Sequence, residues 1–191
     1  MDILFNILIK IQGNILLGDH PYLLYDSYLF YKELSMSNEH SKIENLAKDV
    51  VGQAIKQRLT IATTESATGG AISNALTNIP GSSKIFAGGI ICYRQEVKEG
   101  VMQIPSTLLE EQGAVSLEVT TSLVNNLANL IPSDLGVAIT GVAGPDLDDH
   151  NNPVGTLFIA IRSHLAVKSY PLLLPSQERT QLKSGFTQKA L

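Results

Sequence analysis

Leu59-Thr60-Ile61-Ala62-Thr63-Thr64-Glu65-Ser66-Ala67-Thr68-Gly69-Gly70 is the stretch whose reading decides the fold. Leu59 to Thr63 is a short run rich in β-formers. From Gly69 to Asn78 the pattern turns helical, and it stops before Pro80-Gly81. A strand that passes into a helix through a Ser, Thr and Gly turn is the opening of an α/β unit. The flanks agree with that. Before it, Ser41 to Leu59 places Ile43, Leu46, Ala47, Val50, Val51, Ala54 and Ile55 at helical spacing, with Ser41 and Glu44 as a capping box.

After it, Ile85 to Tyr93 is apolar and β-branched and reads as a strand. Gln95 to Met102 reads as a helix, and Pro105 opens another short one through Glu111. Ser116 to Leu130 is a long helix with Ser116 as its N-cap. Leu135 to Thr140 is a buried strand. Val154 to Arg162 and Lys168 to Leu174 pair as an antiparallel hairpin, and Ser176 begins a last helix. Helices alternating with strands and ending in a hairpin predict a three-layer α/β/α sandwich with a mixed β-sheet.

Bulk composition narrows the function classes. The 191 residues suit one domain plus a short extension, and 44% hydrophobic content supports a sizeable core. Fourteen Lys and Arg against 18 Asp and Glu leave a net charge of −4 with no basic block, so no nucleic-acid surface is expected. Cys92 is the single cysteine and sits in an apolar run, which suits a reducing compartment and a buried small side chain. His20, His40, His150 and His164 show no metal-ligand spacing, so no metal site is expected.

Residues 1–35 read differently from the remainder, residues 36–191. The apolar run from Leu4 to Leu17 is interrupted by Asn6, Lys10, Gln12, Gly13 and Asn14, too short and too polar to span a bilayer. Asp2 and the lack of a small-residue cleavage site speak against a secretory signal, so a cytoplasmic protein is expected. Tyr22, Tyr25, Tyr28 and Tyr31 recur every three residues, either as a stripe for a partner or as part of a poorly ordered extension. The second reading makes Met36 the natural start, a point that mass spectrometry of the native N-terminus decides.

Three clusters have the residue types for chemistry. In Thr63 to Gly70, Ser66 at a strand-to-helix turn can act as a nucleophile, with N–H groups near Thr68, Gly69 and Gly70 facing a developing oxyanion. The same residue types also serve as ordinary caps and turns. In Tyr93-Arg94-Gln95-Glu96-Val97-Lys98, Lys98 can take a serine proton if burial or a neighbouring cation lowers its pKa, and Tyr93 can relay a proton or orient substrate. A solvated helix lysine is the commoner fate of such a position. No His occupies a comparable strand end, which favours Ser–Lys over Ser–His–Asp. Thr140-Gly141-Val142-Ala143-Gly144-Pro145 follows a strand but lacks the Lys and Ser/Thr of a P-loop. Asp146, Asp148, Asp149 and His150 then read as a solvated loop, because Asn151-Asn152-Pro153 breaks a calcium-loop pattern. Gly81-Ser82-Ser83 is a small-residue turn with N–H and hydroxyl donors.

Taken in order with Gly113 to Ser116 and Pro153-Val154-Gly155-Thr156, these motifs closely resemble the CinA C-terminal domain family, which includes the stand-alone nicotinamide-nucleotide amidohydrolases of the PncC type. The resemblance runs from about Asn45 to the C-terminal end. It leaves no room for the pyrophosphatase-like N-terminal domain of full-length CinA proteins. It implies a homodimer that hydrolyses the carboxamide of nicotinamide mononucleotide, a small-molecule substrate, to nicotinic acid mononucleotide and ammonia, without a metal or cofactor. It also implies a Ser–Lys dyad, with Ser66 and Lys98 in those places and Tyr93 in that of the family tyrosine. Gly81 to Ser83 and Thr140 to Pro145, including Gly141, Ala143 and Gly144, would line the pocket. Ser82, Ser83 and Arg179 would meet the 5′-phosphate.

Three departures stand out. Ala67 replaces the usual Cys beside the serine. Arg94 and Gln95 replace Ser and Asn, which could alter the pocket, disturb Lys98, or lower its pKa through the Arg94 charge. Gln177-Glu178-Arg179 replaces Gly-Asp-Arg before a final helix that looks short. Two readings stay open: an active amidase, and a catalytically silent relative that binds a nucleotide or a partner protein.

Overall fold

The computed structural model describes the backbone of residues 26–191 and the side chains of residues 39–191. The apolar run from Leu4 to Leu17, Tyr22 and Tyr25 lie outside the described residues, as do the side chains of Tyr28 and Tyr31. Helix α1 spans Asp26–Gln57. It starts well before Ser41, so Ser41 lies inside the helix and not at its N-terminus. Helix interior positions satisfy their N–H groups along the backbone, so a capping box there has no helix end to close.

The remaining elements follow the expected order, with ends moved by at most three residues. They are β1 Ile61–Glu65, α2 Ala71–Thr77, a 3₁₀ turn Ser82–Lys84, β2 Phe86–Ile91, α3 Gln95–Gly100 and α4 Ser106–Gln112. Then come α5 Leu117–Leu130, β3 Leu135–Gly141, β4 Thr156–Arg162, β5 Val167–Leu173 and α6 Arg179–Ala190. Ser116 does cap α5, its Oγ accepting from the Val119 N–H at 3.2 Å. The last helix begins at Arg179, not Ser176, and runs 12 residues.

The sheet order is β2-β1-β3-β4-β5. β1 is parallel to β2 and to β3, while β3 to β4 and β4 to β5 are antiparallel. β1 is buried along its whole length, as a central parallel strand covered on both faces must be. β5 is a half-exposed edge strand and carries Pro171, which an edge tolerates because it lacks one N–H.

Strand alternation divides the core into two layers. Ile61, Val137, Ile139, Leu157 and Ile159 face α1, α2 and α6, whose Val50, Val51, Ile72, Leu76, Leu182 and Phe186 complete one cluster. Ala62, Ala138 and Ala160 point to the other face, where Val119, Leu123, Val124 and Leu127 of α5 pack with Met102, Ile104 and Leu109. Small alanines on that face let the α5 backbone come close to the sheet. Gly89 of β2 is needed for a similar reason. A Cβ there would collide with the hydroxyls of Thr63 and Ser73, which hydrogen-bond each other at 2.8 Å.

The chain leaves β1 through α2 on one face and returns to β3 through α5 on the other. β1 and β3 are therefore neighbours whose connections diverge, and a crevice opens at their carboxyl ends. That is where ligands bind in open α/β sheets.

Candidate active site

Ser66 is the first residue after β1. It is 7% exposed, its N–H donates to the Ile139 carbonyl of β3 at 3.1 Å, and its carbonyl accepts from the Gly69 N–H at 3.0 Å. The serine is therefore gripped on both sides by backbone. Lys98 lies in α3, beyond the end of β2, and is 2% exposed. Its Nζ is 3.2 Å from Ser66 Oγ and donates to the carbonyls of Cys92 at 2.8 Å and Tyr93 at 3.3 Å. Burial pulls the Lys98 pKa below its ordinary value, with the nearby Cys92 thiol opposing in part.

The three contacts satisfy an ammonium and can also accommodate a neutral amine. Such an amine has two N–H bonds and one lone pair. Here Nζ donates to Ser66 Oγ and to both carbonyls; on losing a proton it would keep its two N–H bonds on the carbonyls and turn its lone pair to the Ser66 hydroxyl. Among the described residues no carboxylate forms an ion pair with Lys98. The site can therefore hold Lys98 as a base.

Titration of Lys98 gives a direct test. A lysine whose folded pKa is lowered makes stability rise with pH, from that lowered value up to about 10.5, because the unfolded chain holds the extra proton. Lys98→Met removes this contribution. The difference in melting temperature between the variant and the parent is expected to favour the variant most at low pH and to shrink towards pH 10.5. Thermal melts across that range check it, and a pH-independent difference would show that Lys98 binds its proton equally in both states.

A cavity of about 280 Å³ opens in front of the pair. Ser66, Ala67, Tyr93, Lys98, Gly141, Ala143 and Gly144 line it, and Ala114, Val115, Val142, Asp146, Asp148 and Arg179 complete it. Arg179 stands at the start of α6 and donates to the Tyr93 hydroxyl at 2.6 Å and to the Gly144 carbonyl, linking two walls of the pocket. Asp148 is occupied in shaping its own loop, accepting from the His150 N–H at 3.0 Å and the Asn152 N–H at 2.8 Å.

Several sequence expectations need correction. Thr68, Gly69 and Gly70 do not line the cavity. The Gly69 N–H is bound to Ser66 and the Gly70 N–H to Glu65 Oε2, so neither is free for an oxyanion, and the Thr68 hydroxyl also donates to Glu65 Oε2. Among the described residues, Ala67 and Ala143 line the cavity and have backbone N–H groups not spent on protein acceptors.

Ser82 and Ser83 lie just before β2, hence at the amino ends of the parallel strands, opposite Ser66, and are not part of the pocket. Thr140 is fully buried and shares a 2.7 Å hydrogen bond with Thr120 of α5 instead. Arg94 and Gln95 face solvent and bond Glu96 and Glu99, so neither alters the pocket and the Arg94 charge is not what lowers the Lys98 pKa.

Ala67, Ala114, Val115, Asp146 and Asp148 are pocket residues that the sequence reading does not place there. The signal for Ala67 is its place next to the nucleophile, while Val142 lies within the Thr140 to Pro145 loop expected to line the pocket. No group of three or more His, Cys, Asp or Glu among the described residues could hold a metal ion. No described helix is long and apolar enough to cross a membrane.

Fold and site together define a mixed-sheet α/β/α protein with a buried Ser–Lys pair at the carboxyl ends of its parallel strands. Residues 43–191 match the family model of the CinA C-terminal domain, and the chain belongs to that family. A CinA-like protein of Synechococcus sp. (strain RCC307) is 43% identical over 118 residues, 62% of this chain and 28% of that protein. The chain thus spans less than a third of the length of that relative.

Among solved structures, the competence/damage inducible protein CihA from Agrobacterium tumefaciens superposes with a TM-score of 0.75 at 28% identity. The match covers 78% of this chain and 91% of that one. A competence-damaged protein (CinA) superfamily protein from Escherichia coli gives a TM-score of 0.75 at 24% identity over 78% of this chain and 86% of that one, a likeness of fold.

Proposed function

We propose that the protein is an amidase that hydrolyses the carboxamide of nicotinamide mononucleotide to nicotinic acid mononucleotide and ammonia. The observation that carries this reading is the 3.2 Å contact between Ser66 Oγ and a desolvated Lys98 whose other donors are held by two carbonyls. In the proposed course, Lys98 Nζ takes the Ser66 proton as Oγ attacks the carboxamide carbon. The N–H groups of Ala67 and Ala143 receive the oxyanion. The tetrahedral intermediate collapses as Lys98 returns the proton to the leaving nitrogen, which departs as ammonia. Water then adds to the acyl-enzyme with Lys98 again as base. Ser66 regains its proton and the carboxylate product leaves. Every step uses groups of the chain and water.

The substitutions at positions 94 and 95, which favoured a silent relative, project to solvent, and their effect on the dyad is correspondingly small. The Ser66–Lys98 geometry favours the active reading over the silent one. The same reading takes the protein to act as a homodimer in the cytoplasm, and sedimentation of the purified chain tests the dimer.

The decisive experiment incubates the protein with nicotinamide mononucleotide and measures ammonia and nicotinic acid mononucleotide. Product from the parent chain, and none from Ser66→Ala, is expected. A folded parent that releases neither product would sink the proposal.

Arg179 supplies the cation for the 5′-phosphate in this reading, giving up its bond to Tyr93 when the nucleotide enters. Arg179→Ala is expected to raise KM for the nucleotide about 10- to 100-fold with little change in kcat, from the loss of one charge-assisted hydrogen bond. The KM for the unphosphorylated riboside should not move. An equal effect on nucleotide and riboside would rule out a phosphate role.

A further inference from the structure

Glu65 is the last residue of β1 and is fully buried, yet it is not part of the pocket. Its carboxylate accepts five hydrogen bonds. Oε2 takes the Thr68 hydroxyl at 2.7 Å, the Gly70 N–H at 3.0 Å and the Ile72 N–H at 3.1 Å. Oε1 takes the Ser73 N–H at 2.8 Å and the Ser73 hydroxyl at 2.6 Å. The group thus bridges the turn that follows Ser66 and the first turn of α2, where N–H groups of a helix otherwise lack partners. Its backbone carbonyl is engaged as well, accepting from the Cys92 N–H at 2.8 Å. The Cys92 carbonyl in turn accepts from Lys98 Nζ at 2.8 Å. One residue is therefore tied through its side chain to the turn of Ser66 and through its backbone to the seat of Lys98.

Resting on the Ser–Lys reading, we infer that Glu65 is a positioning residue that sets the reach between Ser66 Oγ and Lys98 Nζ. A carboxylate is required because five donors converge on it and it has no hydrogen to offer. Gln keeps the shape, but its NH₂ meets either the Ser73 N–H or the N–H groups of Gly70 and Ile72, donor against donor. The turn then shifts to relieve that conflict, and Ser66 shifts with it. Misplacement of reacting atoms by about 1 Å costs on the order of 100-fold in rate.

The test reads nucleophile geometry apart from substrate choice. A fluorophosphonate probe reacts when Ser66 Oγ attacks phosphorus. The P–F bond breaks, fluoride leaves, and the Oγ proton passes to Lys98 and on to solvent. The maximal labelling rate of Glu65→Gln is expected to fall about 100-fold. The half-saturating probe concentration and the far-UV circular dichroism should match the parent. A folded Glu65→Gln that labels at the parent rate would overturn the inference while leaving the Ser–Lys reading intact. A parent that labels no faster than Lys98→Ala would remove both.

Turnover of nicotinamide mononucleotide on the same samples separates a wrong substrate from a wrong geometry: labelling without turnover discards the substrate and keeps the inference. If Glu65→Gln does not fold, Ser73→Ala and Thr68→Val take its place. Each removes one hydroxyl donor and keeps the charge, and each is expected to slow labelling about five-fold, in line with one lost hydrogen bond. Parent rates in both would overturn the inference.

Discussion

Ser66→Ala and Lys98→Ala are each expected to cut turnover of nicotinamide mononucleotide by about 1000-fold or more, and the double variant to lose little beyond either single one. The reason is that the two side chains act as a unit. Without Lys98 no group takes the hydroxyl proton, and without Ser66 the base has nothing to activate. Their 3.2 Å contact and shared burial make this a coupled pair, not two independent contributors. Steady-state rates of the four proteins close the cycle. Multiplicative losses would mean that the residues serve different steps and that the dyad is misassigned.

The second large effect concerns the C-terminal helix. Phe186 of α6 is fully buried and packs close to Gly141, where a Cβ would come within 3.1 Å of its ring. It joins Leu182, Ala190 and Leu191 in the cluster that covers one face of the sheet. Phe186→Ala is expected to cost about 3–5 kcal/mol, the transfer of a ring plus the cavity it leaves. For a domain of this size that corresponds to a fall in melting temperature on the order of 10 °C. Because Gly141 begins the loop that lines the pocket, turnover of the folded variant should fall as well. Melting by circular dichroism checks the first part. A loss under about 1 kcal/mol would mean that α6 is peripheral to the core.

Sequence matching was weakest here, since Gln177-Glu178-Arg179 departs from the family pattern, yet the helix completes a layer. The reason is visible in its buried positions. Leu182 and Phe186 are four residues apart and fall on one face, so packing survives changes in the polar lead-in. The same departure retains Arg179, and it is this residue that reaches the pocket.

Some of the molecule could be read directly from the chain because it depends on local pattern. The β-rich run leading into Ser66, the helical spacing of Leu117–Leu130 with its Ser116 cap, and the hairpin of β4 and β5 each follow from residues near one another in sequence. Ser66, Tyr93 and Lys98 were named from motifs at strand ends, and they share one cavity. The start of α1 was misjudged because a plausible capping box at Ser41 and Glu44 looks the same inside a helix as at its beginning.

What only the tertiary structure decided was which donors and charges were already taken. Gly69 and Gly70 look like oxyanion donors in sequence, but Ser66 and Glu65 already hold their N–H groups. Ser82 and Ser83 look like phosphate donors in sequence, but the parallel pairing of β1 and β2 puts them at the opposite ends of the strands from Ser66. Lys98 looked like any helix lysine until burial removed its water. Local sequence specifies backbone periodicity, because that depends on neighbours along the chain. Hydrogen-bond partnership and desolvation depend on groups brought together from distant positions, and only the packed fold assigns them.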